Sequence, residues 1–153
     1  MHTRLMQTLL AFAAVVLITV TGRPVAGAEE IVFKDVKQQT SQFMEWYATI
    51  KLTPQQESIK KTALTALPAP CCSDNSAYTC CCECNVSRTI WGLSHYLIAK
   101  QGANAAQVTA KVKEWIAFVN PSGFEGKACY SGGCARPFAK GGCGGMNAGH
   151  VTF

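Results

Sequence analysis

The chain has 153 residues, 48% of them hydrophobic, with a net charge of +5 at pH 7. That is enough chain for one domain with its own core. No run of Lys or Arg exceeds Lys60-Lys61 and no aromatic-basic interleaving occurs, which excludes nucleic acid as an expected partner.

The chain opens with His2 and Arg4, continues through an apolar stretch from Leu9 to Val20, and reaches Ala26-Gly27-Ala28 before Glu29. The pattern predicts a secretory signal peptide over 1–28, cut after Ala28. The apolar run is short for a membrane span, so the expected mature chain is periplasmic or secreted and soluble, with no stable membrane span. No cysteine lies between Val20 and Glu30 to carry a lipid anchor, and no twin-arginine pair precedes the apolar run. Any metal is then acquired outside the cytoplasm. Arg4 and Arg23 fall in the leader, leaving twelve basic against nine acidic residues, a mild net of +3.

From 29 to 121 the texture is helical. Phe33, Val36, Phe43, Trp46, Tyr47 and Ile50 recur mostly at three- and four-residue steps, which is a helix stripe. Thr53-Pro54-Gln55-Gln56 sets a hydroxyl cap, a proline at the first helical position and a glutamine three residues after the cap, predicting a second helix from Pro54 to about Ala66. Leu67-Pro68-Ala69-Pro70 cannot continue it, because proline lacks the backbone donor and restricts its predecessor. A cysteine loop over 70–85 begins there. Asn85 is the expected N-cap of a third helix carrying Ile90, Leu93, Leu97 and Ile98, stopped by Gly102. Asn104 and Gln107 form a second capping pair, starting a helix with Val108, Val112, Trp115, Ile116 and Val119 that ends at Asn120-Pro121. The short connection predicts that these two helices pack antiparallel. Strand signals are confined to Ile31-Val32-Phe33. The expected fold is all-α, a small bundle of about four helices.

From 122 to 153 follows an irregular arm packed on the same domain, holding nine of the chain's thirteen glycines. Such a segment loses much backbone entropy on ordering and has little apolar mass to compensate. Cys129, Cys134 and Cys143 are its expected anchors, with Phe124, Tyr130 and Phe138 packing on the bundle.

Six cysteines, Cys71, Cys72, Cys80, Cys81, Cys82 and Cys84, crowd into fourteen residues. With the three of the arm they define the expected site. Thiolates are soft ligands that suit copper(I) and also build tetrahedral zinc sites, so the density points to metal binding, for sequestration or transfer rather than catalysis. The expected partners are a metal ion and another exported thiol protein or metal donor or acceptor. Placing the loop before a helix start favours the thiolate, through the positive end of the dipole. Met146 and His150 near Cys143 are weaker ligand candidates, and His95 reads as a surface or core histidine.

Two alternatives compete with metal. Adjacent cysteines seldom bridge each other, so a disulfide framework stitches loop to arm and leaves one thiol of the nine over. In the other, Cys81 and Cys84 cycle as a redox pair, although Cys82 between them invites scrambling. A c-type haem site is excluded, because Asn85 follows Cys84 where attachment needs His.

Cys81-x-x-Cys84 followed by Asn85 and two amphipathic helices, the stretch Cys81 to Phe118, resembles the helical thiol-reductase domain of bacterial cytochrome c maturation proteins. That resemblance implies redox roles for Cys81 and Cys84. Tyr78-Thr79-Cys80 stands where that family has Leu-Arg. Pro70-Cys71 with Cys80-Cys81-Cys82-Glu83-Cys84 also resembles the motif of exported PCYCGC-type proteins, whose function is not established, although the spacing differs.

Overall fold

The computed structural model describes residues 30–153. The expected signal peptide lies outside the described residues. Four helices form a small all-α bundle, with one short hairpin between the second and third.

Helix α1, Val36–Thr49, starts at Asp35, whose carboxylate accepts the Gln38 N–H at 2.9 Å and so satisfies one of the orphan donors of the first turn. Ahead of it, residues 31–33 belong to no helix or strand. Phe33 is anchored instead by its ring, 5.3 Å from Trp115 and 5.8 Å from Phe118. Helix α2, Pro54–Thr65, has the expected capping box between Thr53 and Gln56 and the proline in its first turn.

Strands β1, Pro68–Ala69, and β2, Cys72–Ser76, pair antiparallel with an irregular register. Helix α3, Asn85–Gln101, begins at Cys84 rather than at the expected cap Asn85. The Asn85 amide is drawn to the arm, donating to the carbonyls of Gly144 at 2.8 Å and Asn147 at 3.0 Å. Gly102 ends α3 in the left-handed region at φ 63°, where glycine has no Cβ penalty. Helix α4, Ala105–Val119, carries the second capping box, Asn104 with Gln107.

Helix α3 is the centre of the molecule, packed on α1, α2 and α4. Gly92 is its point of closest approach to α1, where an added Cβ would lie 1.7 Å from the Phe43 carbonyl oxygen. Buried indole N–H groups need acceptors. Trp115 donates to Thr89 Oγ1 at 2.9 Å and Trp91 to the Ala77 carbonyl at 2.8 Å. The second bond fastens the cysteine loop to α3.

The arm runs through two 3₁₀ turns, Ala128–Ser131 and Phe138–Lys140. Its Phe138 is buried and Phe124 partly so. Tyr130 is 71% exposed, against the expectation that its ring packs on the bundle. Its hydroxyl donates instead to Asp74 at 3.0 Å. Among the described residues no helix is long and apolar enough to cross a membrane.

Candidate metal centre

Backbone hydrogen bonds bring loop and arm together. Ser73 N–H donates to Gly126 O at 2.6 Å and Cys129 N–H to Cys71 O at 2.9 Å, while Val86 N–H donates to Cys143 O at 3.1 Å and Asn85 N–H to Gly145 O at 2.9 Å. The last two use donors of the first turn of α3, which have no partner inside the helix. The helix start thus holds the arm by its backbone. Gly144 makes this approach possible: at φ 71° its missing Cβ would stand 2.4 Å from the Phe138 ring.

All nine cysteines are free thiols, and together they form four groups of three whose sulfurs lie within 4.8 Å of one another. Cys71, Cys84 and Cys143 make the floor, each 0% exposed. Cys72, Cys81 and Cys129 make a rim, in which Cys81 is exposed, Cys129 half-buried and Cys72 buried. Cys80, Cys81 and Cys82 form the third group and Cys82, Cys129 and Cys134 the fourth. Three sulfurs at about 2.3 Å from a common ion stand roughly 4 Å apart, so each group needs only small adjustments to close on a metal.

The outer three groups share corners: Cys81, Cys82 and Cys129 each belong to two of them. The corresponding sulfurs are close, Cys81 to Cys129 at 3.4 Å, Cys129 to Cys134 at 3.8 Å and Cys82 to Cys134 at 3.9 Å. Cys80 interacts with both Cys71 and Cys84, and so joins this outer ring to the floor.

Crowding decides which thiols ionise. Cys84 is held well below the ordinary thiol range, because Cys143, then Cys71 and Cys80, hydrogen-bond to its thiolate, with Ser87 Oγ 3.1 Å away. Cys71 is driven up by its hydrogen bond to Cys143, then by Cys80, Cys84 and burial. Burial, followed by Cys129, pushes Cys81 up to about 12, and burial followed by neighbouring thiolates raises Cys82. Cys72 is lowered by the Asn75 amide, which donates to its sulfur at 3.3 Å. Without an ion the group therefore keeps most of its protons, and a metal must displace them to bind.

Of the sulfurs predicted from sequence, all nine are brought together, but Cys81 and Cys84 are not brought to each other. Cys84 belongs to the floor and Cys81 to the rim and its neighbour, and no group among the described residues contains both. Met146 and His150 are exposed, and His150 belongs to none of the groups. His95 is a core residue. Sequence reasoning missed Asn75 and Ser87, which hydrogen-bond to sulfur; Ser87, three residues after Cys84, stands where a helix start places polar partners. An apolar groove of about 430 Å³ is bordered by Leu67, Pro70, Ile116 and Phe124, and no cysteine lines it.

No protein-family model, no curated protein and no solved structure matches this chain.

Proposed function

We propose that this is an exported soft-metal-binding protein that holds copper(I) in a shared-thiolate cluster, acting in sequestration or transfer rather than catalysis. One observation carries the reading: the sulfurs meet in threes and share corners. Three-coordinate sulfur sites with bridging thiolates suit copper(I), a soft ion content with few ligands. Structural zinc asks for four ligands around each ion, whereas each group here brings three sulfurs together. The cluster's donor or acceptor in the exported compartment would be another thiolate protein.

The test is to purify the exported form without reducing agent and measure bound metal and free thiols on the same sample. The expected result is several equivalents of copper(I), roughly four if each three-sulfur group holds one ion, with most thiols recovered after the metal is removed. If all but one cysteine are disulfide-bonded, and added copper(I) is not taken from a weak chelator, the reading fails.

The 3.4 Å approach of Cys81 to Cys129 favours a second reading, in which these two pass two electrons and two protons to a disulfide oxidant of the exported compartment and form a disulfide that staples arm to loop. Their sulfurs must close to about 2.05 Å. The resemblance to the thiol-reductase domain would pair Cys81 with Cys84 instead, across two separate sulfur groups.

A further inference from the structure

We infer that the copper(I) held by this protein divides into two populations, a retained ion on the floor of Cys71, Cys84 and Cys143 and exchangeable ions at the rim of Cys72, Cys81 and Cys129. This rests on the copper reading above and adds where ions arrive and leave.

Exchange at a thiolate-bound copper(I) is associative: an incoming sulfur must reach the ion before an old one departs. Access of that kind differs sharply across the cluster. Cys81 is exposed and Cys129 half-buried, so the rim is reached from their side although Cys72 is buried, whereas all three floor cysteines are 0% exposed. The surrounding structure repeats the division. Cys143 is fixed to the start of α3 through its own carbonyl, while the buried Asn85 amide holds the next stretch of arm at Gly144 and Asn147. An ion on the floor therefore leaves only when that stretch lifts from the helix. Cys129 sits in an exposed turn, with its backbone N–H on Cys71 O and its neighbour Tyr130 bonded to Asp74 at the surface. An ion at the rim can be reached with both contacts intact.

The third group, Cys80, Cys81 and Cys82, includes one rim sulfur, and Cys80 adjoins two floor sulfurs. Copper stays in the +1 state throughout. Each protonated thiol that binds copper on loading releases its proton to water. On transfer, thiolates of the acceptor replace Cys81, Cys129 and Cys72 on the ion in turn, and the released sulfurs regain protons from water. The acceptor class is thus a protein presenting its own exposed thiolates.

The experiment loads the full exported chain with copper(I) under anaerobic, reducing conditions, then follows metal release to an excess of a chromophoric copper(I) chelator. Two phases are expected in the unaltered protein. Cys81→Ser and Cys129→Ser should each diminish the fast phase and leave the slow one in place. Asn85→Ala, which keeps every cysteine, should accelerate the slow phase about tenfold, since a buried double hydrogen bond to the arm is lost. Circular dichroism identifies any variant that has lost its helices, and Asn85→Ala keeps the test independent of ligand loss. A single release phase with full loading would overturn the division and leave the copper reading standing. Loss of the slow phase in the rim variants, or an unchanged slow phase in a folded Asn85→Ala, would overturn it too. Failure of the unaltered protein to take up copper(I) at all would overturn the copper reading, and this inference with it.

Discussion

A histidine and a lysine meet inside the bundle. Lys60 Nζ lies 3.1 Å from His95 Nε2, and His95 Nδ1 lies 2.9 Å from the Ile50 carbonyl. The neutral ring satisfies both contacts, donating from Nδ1 and accepting the ammonium at Nε2. Protonation would place two cations side by side in a buried site. Burial first, and then the Lys60 charge, hold His95 below its ordinary value of 6.5. Because the folded state binds this proton less readily than the unfolded chain, stability is full above about 6.5 and falls as pH drops from there toward the folded value. Denaturant midpoints of the metal-free, reduced protein should therefore decline between pH 7 and pH 5, and His95→Gln should flatten that decline. An equal pH slope in the variant would assign the dependence to other groups. The Lys60 partnership was not legible in the sequence, since the two residues stand 35 positions apart; an isolated histidine in a helical stripe shows only that it faces the core or the edge of it.

At the level of elements, most helix ends are set by their own neighbours in sequence. The capping boxes at Thr53 and Asn104, the proline in the first turn of α2 and the glycine at 102 each specify their own helix end within a few residues. The start of α3 escaped for the opposite reason. Asn85 has the chemistry of a cap, but its amide is claimed by carbonyls 59 and 62 residues away. The hairpin of residues 68–76 also escaped, because Cys-Ser-Asp-Asn-Ser has no strand propensity and its pairing comes from the turn that folds it back. Packing of α3 on α1 turns on Gly92. Ala there would overlap the Phe43 carbonyl, and since backbone cannot rotate away as a side chain does, the helices must separate. Gly92→Ala should cost about 3 kcal/mol or more, against about 1 kcal/mol for Gly102→Ala at its left-handed position. Urea unfolding of the metal-free protein compares them directly. A loss at position 92 no larger than at 102 would mean that α1 shifts freely, and that the close approach contributes little.

At the level of the whole molecule, the helices and the arm are stabilised by different means. The bundle has an aromatic core, with Phe43 4.7 Å from Trp115 and both fully buried, and such side chains contribute about 3 to 5 kcal/mol each when truncation is the measure. The arm buries chiefly Phe138, Ala128 and Cys143. Its glycine content already indicated that it needs anchoring, but the division of its three thiols among floor, rim and fourth group was not legible, because cysteine spacing carries no information about which sulfur turns inward. Backbone bonds at Ser73, Cys129, Asn85 and Val86 dock the arm in the structure, each worth about 1 kcal/mol net, against the entropy of ordering a segment rich in glycine. Metal thiolate bonds would tip that balance, with Cys143 tying the arm to Cys71 and Cys84, and Cys129 tying it to Cys72 and Cys81. Limited proteolysis at Lys127 and Lys140 reads the state of the arm. The copper-loaded protein should resist cleavage there, stripping the ions with a strong copper(I) chelator should open both sites, and a mild reductant that removes no copper should open neither. The reverse pattern, with reduction opening the arm and chelation leaving it closed, would identify disulfides as the fastening. Equal cleavage in every condition would show that the thiols of the arm do not hold it down, and would confine any metal site to Cys71 through Cys84.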